Sequence, residues 1–220
     1  MSFPLIVVPP SDRVGISFRE ISVDETNLSA YTFSSQDLGP ADATRHIVIG
    51  AAWRRNSISP TLTGITVGGV SCTIADGSKL DGTISGCALG IVAVPTGTTG
   101  DVVITLSNTC SGCGISVWAL TNLDSATPVG TSEASSTTTD LALPALSTEA
   151  QGVALFVAVS EDNNLTFTWV NPTKDFQSVI ESGGGTTFSG ANMQTDGTNV
   201  SENVQSTGSS VKYAVAASWR

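Results

Sequence analysis

Along this 220-residue chain, apolar and polar side chains alternate with a period of two nearly everywhere, and a helical period of 3.6 is nearly nowhere to be found. Alternation of that reach places Val, Ile and Leu on one face of a strand and Thr and Ser on the other. A chain patterned this way buries its apolar faces by stacking sheet on sheet, so the expected architecture is all-β: a two-sheet antiparallel β-sandwich, jelly-roll-like, with no helix beyond a short turn or two. Strands are expected over 15–23, 46–54, 64–75, 84–94, 101–107, 114–121, 153–160, 165–170, 176–182, 191–194 and 211–219. Turn clusters such as Pro95-Thr-Gly-Thr-Thr-Gly100, Glu161-Asp-Asn-Asn164 and Gly183-Gly-Gly185 separate them. The polar run 130–139 reads as a loop crossing between sheets that leaves the domain undivided. Residues 14–220 are therefore expected to form one sandwich, and residues 1–13 an extended N-terminal arm.

Charge narrows the partners. Lys and Arg total 9 against 19 Asp and Glu, a formal net charge of -10, and nucleic-acid affinity rests on clustered cations. No nucleic-acid partner is expected, and Arg45, Arg54 and Arg55 read as solvated strand ends. The opening run Met1-Ser-Phe-Pro-Leu-Ile-Val-Val-Pro-Pro10 is apolar but too short for a membrane span, and no basic region precedes it as an export signal requires. Phe3, Leu5, Ile6, Val7 and Val8 form an apolar stretch bracketed by Pro4 and by Pro9-Pro10, which suits an extended segment outside the centre of its own sheet. Such a run is expected to be buried along its own sandwich, against a neighbouring subunit, or on a larger surface, and it is the candidate attachment arm.

The four cysteines sit at 72, 87, 110 and 113. Numbering places Cys72 and Cys87 symmetrically about the turn-rich segment 76–83, and Cys110 and Cys113 about a two-residue turn at Ser111-Gly112, so each pair is expected to face across a hairpin. Strand rather than helix follows Cys113, which argues against a redox-active dithiol, and one Cys-x-x-Cys knuckle with two separated cysteines is a poor zinc site. Buried free thiols and cross-strand disulfides both remain, and two facing pairs favour disulfides.

Signatures of catalysis are sparse. There is no Gly-x-Ser-x-Gly elbow, and a single histidine, His46, stands where a strand begins. The acidic pairs Asp24-Glu25 and Glu161-Asp162 fall in expected turns, where carboxylates are solvated. Glu161-Asp-Asn-Asn164 lacks EF-hand spacing, and no phosphate-binding or dinucleotide glycine motif is present. No catalytic, cofactor or metal site is expected. Trp53, Trp118, Trp169 and Trp219 read as core aromatics, with an exposed Trp or Tyr31 as the feature a sugar-binding module would need. Two strands with similar sequence, Ile49-Gly-Ala-Ala-Trp-Arg54 and Val215-Ala-Ala-Ser-Trp-Arg220, are candidates for neighbours in one sheet.

The run Gly64-Ile-Thr-Val-Gly-Gly-Val70, then Gly90-Ile-Val-Ala-Val-Pro-Thr-Gly-Thr-Thr-Gly-Asp-Val-Val-Ile-Thr-Leu106, Cys113-Gly-Ile-Ser-Val-Trp-Ala-Leu-Thr-Asn-Leu123 and the terminal Ala216-Ala-Ser-Trp-Arg220 resembles β-sandwich proteins of the structural gene clusters of tailed bacteriophages. The resemblance runs from about Gly64 onward and consists of strand and turn patterns, so no functional residue carries over. It implies a structural component of a virion surface, made in the host cytoplasm: a capsid decoration protein, or alternatively a carbohydrate- or receptor-binding tail or head fibre module. It also implies other capsid or tail subunits as partners, a homo-oligomer, and, on the fibre alternative, a glycan receptor.

Overall fold

The computed structural model describes residues 13–220 except 57, 163, 164, 182 and 184. The arm residues Phe3, Leu5, Ile6, Val7 and Val8 lie outside the described residues. Within them the chain is all-β and antiparallel, as the alternation requires, and no helix occurs. The strands form a β-sandwich, as expected, built from three hydrogen-bonded sheets that curl and stack over three apolar cores.

The first sheet is organised by one strand. β1 (Gly15–Asp24) and β2 (Leu28–Asp37) lie end to end along one edge of β8 (Thr99–Thr121). Along its other edge, again end to end, lie β3 (His46–Arg55) and β4 (Leu62–Val67). β5 (Val70–Ser71) extends β4, while β7 (Ser85–Ala93) and then β6 (Lys79–Asp81) extend β3. Twenty-three residues of straight strand would reach roughly 75 Å. Instead the three-strand ribbon folds over on itself where β1 meets β2, where β3 meets β4, and at a bulge in β8 between the rungs Arg54–Gly112 and Arg55–Cys110. The folded sheet encloses its own core, with Ile47, Ile49, Trp53, Ile115 and Val117 on one side and Tyr31, Leu62, Ile65, Val102 and Ile104 on the other. Tyr31 braces the fold line: its hydroxyl lies 2.9 Å from both the Thr26 and the Cys110 carbonyls.

The second half is assembled differently. β9 (Gly130–Ser136), β11 (Ala150–Ser160), β13 (Thr173–Glu181), β14 (Thr186–Asp196) and β16 (Lys212–Trp219) form a five-stranded sheet in the order β13-β14-β11-β16-β9. Its outer face is covered by a separate small sheet, β10 (Asp140–Leu146), β15 (Val200–Ser206) and β12 (Phe167–Thr168). Ala154, Ala158, Ala191, Ala214 and Ala216 line that face, and their small side chains leave depth for Phe167, Trp169 and Leu143.

Between the halves lies a third core. Val48, Leu89, Trp118 and Leu120 of the first sheet pack on Leu155, Val157, Val215 and Trp219 of the second. Gly50 permits the approach: a Cβ there would fall 2.5 Å from Ser116 Oγ and 2.7 Å from Val157 Cγ2. Two polar ties cross the same boundary. Trp118 Nε1 donates to Asp175 at 2.8 Å, and Arg54 pairs with Glu181 at 3.0 Å.

Several sequence expectations change. The run 130–139 contains β9, an edge strand whose Ser and Thr suit a half-solvated position beside β16. The expected strands 101–107 and 114–121 are one strand, β8. The expected strand 64–75 divides at Gly68-Gly69, both at positive φ. The strands ending in Trp53 and Trp219 are not neighbours in one sheet; they belong to facing sheets, and Trp53 points into the first half's own core while Trp219 points into the shared one.

Candidate attachment surface

The described chain begins at a firmly held point. Val14 is fully buried and its N–H donates to the Gln151 carbonyl at 2.9 Å, Arg13 Nε donates to Gln194 Oε1 at 2.6 Å, and Gln194 returns a bond to the Val14 carbonyl at 3.1 Å. The start of the described chain is thus fastened across β11 and β14, and the apolar run 3–8 precedes that anchor in the sequence. Immediately downstream, Gly15, Ile16, Ser17 and Arg19 border a groove of about 430 Å³ closed on its other sides by residues 40–42 and by Ala119 and Thr121. The edge of β1 remote from β8 has no strand partner among the described residues.

Arg45 forms the floor of this region and corrects its sequence reading as a solvated strand end. It is 1% exposed, and its guanidinium donates to the carbonyls of Val94, Leu38, Gly39, Pro40, Thr96 and Gly97. The charge gathers two loops by their backbone acceptors, a use to which a planar five-donor head is well suited. Arg54 and Arg55 are half-buried; Arg54 pairs with Glu181, and Arg55 donates to the Thr83 carbonyl at 2.8 Å.

The structure separates Cys72 from Cys87 and keeps Cys110 and Cys113 in one core. All four thiols are free. Cys87 enters the core shared by the halves, whereas Cys72 packs against the first half's own core, on the opposite face of the sheet. The hairpin symmetry fails because the strands pair about residues 82–84 and not about the centre of 76–83, as the Lys79–Ala88 rung and the Thr73–Ile91 bridge show, which leaves Cys72 beside Gly90 and Cys87 beside Leu80. Cys110 and Cys113 do not flank a turn. They stand on one continuous strand, and the bulge at Ser111 lets both point into the same core. Gly112 is small for another reason: a Cβ there would meet the Ile180 carbonyl at 2.9 Å. Burial pushes the thiols of Cys72 and Cys110 up to about 12 and those of Cys87 and Cys113 further, so none is a nucleophile at neutral pH.

The remaining candidates are structural in their contacts. Trp53, Trp118, Trp169 and Trp219 are all buried, and so is Tyr31; among the described aromatic residues only Phe18 is even half-buried, and it stacks on Phe176 at 5.6 Å. No described aromatic is exposed for a sugar to stack on. His46 Nδ1 lies 3.0 Å from the Thr44 carbonyl. Asp24 accepts from the Thr26 amide and hydroxyl, closing the turn between β1 and β2. Of Glu161-Asp-Asn-Asn164 only the first two residues are described, and no group of three or more His, Cys, Asp or Glu residues placed to hold a metal ion occurs among the described residues. Two further buried charges had no signal in the sequence: Glu202, which accepts from the Val170 and Asn171 amides at 2.6 and 3.2 Å, and Lys212, which donates to the Gly208 and Ser210 carbonyls at 3.0 and 2.9 Å.

No protein-family model matches the chain, and no curated protein matches it. Among solved structures it is similar to the crystal structure of Cucumber Necrosis Virus, at 9% identity and a TM-score of 0.29, over 98% of this chain and 92% of that one. A score this low needs no more than shared strand content.

Proposed function

We propose that the chain is a non-enzymatic structural protein of a virion surface, of the tailed-bacteriophage kind that its strand and turn motifs resemble, and within that group a capsid decoration protein. The observation that carries the reading is the anchored chain start. An apolar run without charged side chains leads into a point fixed by Val14, Arg13 and Gln194 on a rigid strand body, and its burial elsewhere would fasten the body to a neighbouring subunit or a capsid surface. The free, sealed thiols fit a protein that folds in a reducing host cytoplasm before it reaches the particle. The alternative, a fibre module reading a glycan, would use an exposed aromatic, and the described residues offer none.

Deletion of residues 1–10 tests the proposal. The truncated chain is expected to fold with a nearly unchanged melting temperature and to be missing from particles assembled in its presence, by electron microscopy and by gel analysis of purified particles. Normal incorporation of the truncated chain, or absence of the full chain from every particle, would overturn it.

A further inference from the structure

One edge of the first half is left open in a way the others are not. β2 lies along β8 with Tyr31 and Phe33 directed into the core and Ala30 and Thr32 exposed. On β8, Asp101 and Ser107 bond toward the β4 side, Asp101 accepting at its carbonyl from the Gly68 amide and Ser107 donating from its amide to the Thr61 carbonyl. Successive residues of an antiparallel strand turn their backbone groups to opposite neighbours, so Val102 and Ile104 bond toward β2, and their rung partners Phe33 and Tyr31 bond back. The N–H and C=O of Ala30 and Thr32 therefore point away from the sheet, along an edge with no strand partner among the described residues.

The other long edge strands carry devices that keep strands apart. β1 is bulged between Phe18 and Glu20 and is charged there. β13 has two bulges and carries Lys174, Asp175 and Glu181. β10 holds Pro144 at a bulge, and β9 is tied to it by the Ser132 hydroxyl, which donates to the Pro144 carbonyl at 2.8 Å. β2 is bulged at both ends, but between the bulges Ala30 to Phe33 form four consecutive rungs, and no charged side chain occurs from Thr26 to Gln36. Leu28, one of the large apolar side chains left exposed, stands beside that run. Charge selects the partner. At a formal net charge of -10, two copies repel over most of their surface, so a contact between copies needs an uncharged seam, and β2 supplies one. A cationic partner would gain more at the carboxylates elsewhere than along a neutral strand. The open groups are also self-complementary: Ala30 and Thr32 stand symmetrically about Tyr31, so a two-fold axis there sets Ala30 of each copy against Thr32 of the other and satisfies the free N–H and C=O of both. We infer that β2 is a homodimer interface, which pairs antiparallel with β2 of a second copy about Tyr31 and joins the first sheets of the two copies into one.

The interface is independent of the arm and of the virion assignment, and its test needs no particle. Sedimentation velocity of the full chain from micromolar to millimolar concentration is expected to show a monomer–dimer equilibrium, with exchange of the Ala30 and Thr32 amides slowing as the dimer fills. Two double variants at these exposed positions, Ala30→Glu with Thr32→Glu and Ala30→Lys with Thr32→Lys, each set like charges opposite one another across the axis. Each is expected to raise the dissociation constant at least about tenfold, and an equal mixture of the two is expected to recover a dimer containing one of each. Thr32→Pro removes only an N–H that points away from the sheet, which an edge strand tolerates. It serves as the independent variant should the charged ones fail to fold, and is expected to weaken the dimer at least about tenfold with an unchanged circular-dichroism spectrum. A chain that is monomeric at every concentration, a dimer indifferent to these variants, or folded charged variants that stay monomeric when mixed would each overturn it.

Discussion

The two halves of the molecule solve one problem in two ways. Each has a central sheet with two apolar faces, and each gives one face to the other half, leaving a second face to cover. The first half covers it by folding its own strands over, so that β8, and the end-to-end pairs β1–β2 and β3–β4, contribute to both layers. The second half covers it with a separate three-stranded sheet reached through hairpins and crossings. In the first half the cover is continuous with the sheet's hydrogen-bond ladder. In the second it is held by side-chain packing and by buried charged groups such as Glu202 at the Val170-Asn171 turn. A folded-over sheet therefore ties its cover to its core, while an added sheet leaves the cover free to loosen.

The sharpest way to break this comparison is to damage what the halves share. Trp118→Ala opens the common core and removes the donor to Asp175, and a loss of about 3–5 kcal/mol is expected. Both halves should unfold in one transition, so urea melts followed by circular dichroism and by hydrogen exchange of β8 and β11 should coincide; separate transitions would show that the halves are energetically independent. Next in size, Leu143→Ala in the added cover should cost about 2–4 kcal/mol, and hydrogen exchange should quicken in β10, β12 and β15 while β8 stays protected. Tyr31→Phe removes the hydroxyl at the fold line of the first half, at a cost of about 1 kcal/mol in denaturant melts. Because the ladder runs through that line, exchange is expected to rise in β2 and β8 together rather than in the cover alone.

The smallest effect is expected at the boundary itself. Burial holds the Asp175 carboxyl above its usual range, against the opposing bonds from Asn192 and Trp118. A group raised in the folded state supports the fold fully below its unfolded pKa, near 3.9, and loses that contribution as the pH climbs through its folded value. Asp175→Asn, which keeps an oxygen for Trp118, should therefore gain on the unmodified chain in melting temperature as the pH rises above about 4, and the gain should level off once Asp175 is ionised. A difference that stays constant with pH would remove Asp175 from the boundary's energetics.

Much of the fold was legible because alternation survives wherever one face is buried and the other meets water or a polar layer. His46–Arg55 and Lys212–Trp219, buried on both faces, were readable instead as near-continuous apolar runs of strand length. The fold line was not, because Cys110-Ser-Gly-Cys113 carries turn residues whose purpose is different: Gly112 clears Ile180 from the facing sheet, and Ser111 is the extra residue of a bulge. β2, β9, β10 and β15 were missed because they are cover or edge strands whose outward Ser, Thr and Asn read as loop. At the candidate site, the arm's apolar run was visible in the sequence, but the groove joins residues near 16, 41 and 119 that only the fold brings together. Arg45 was misread because nothing in a linear sequence distinguishes a guanidinium that meets solvent from one that collects carbonyls.

The ladder between β1 and β8 also sets how the molecule bears tension. Its rungs run from Gly15–Thr121 to Asp24–Cys113, and the strand enters that ladder directly from the anchored chain start. Because antiparallel hydrogen bonds lie across the strand direction, a pull applied through the arm along the axis of β1 loads those rungs side by side instead of peeling them one after another. Rupture should therefore demand far more force along β1 than across it.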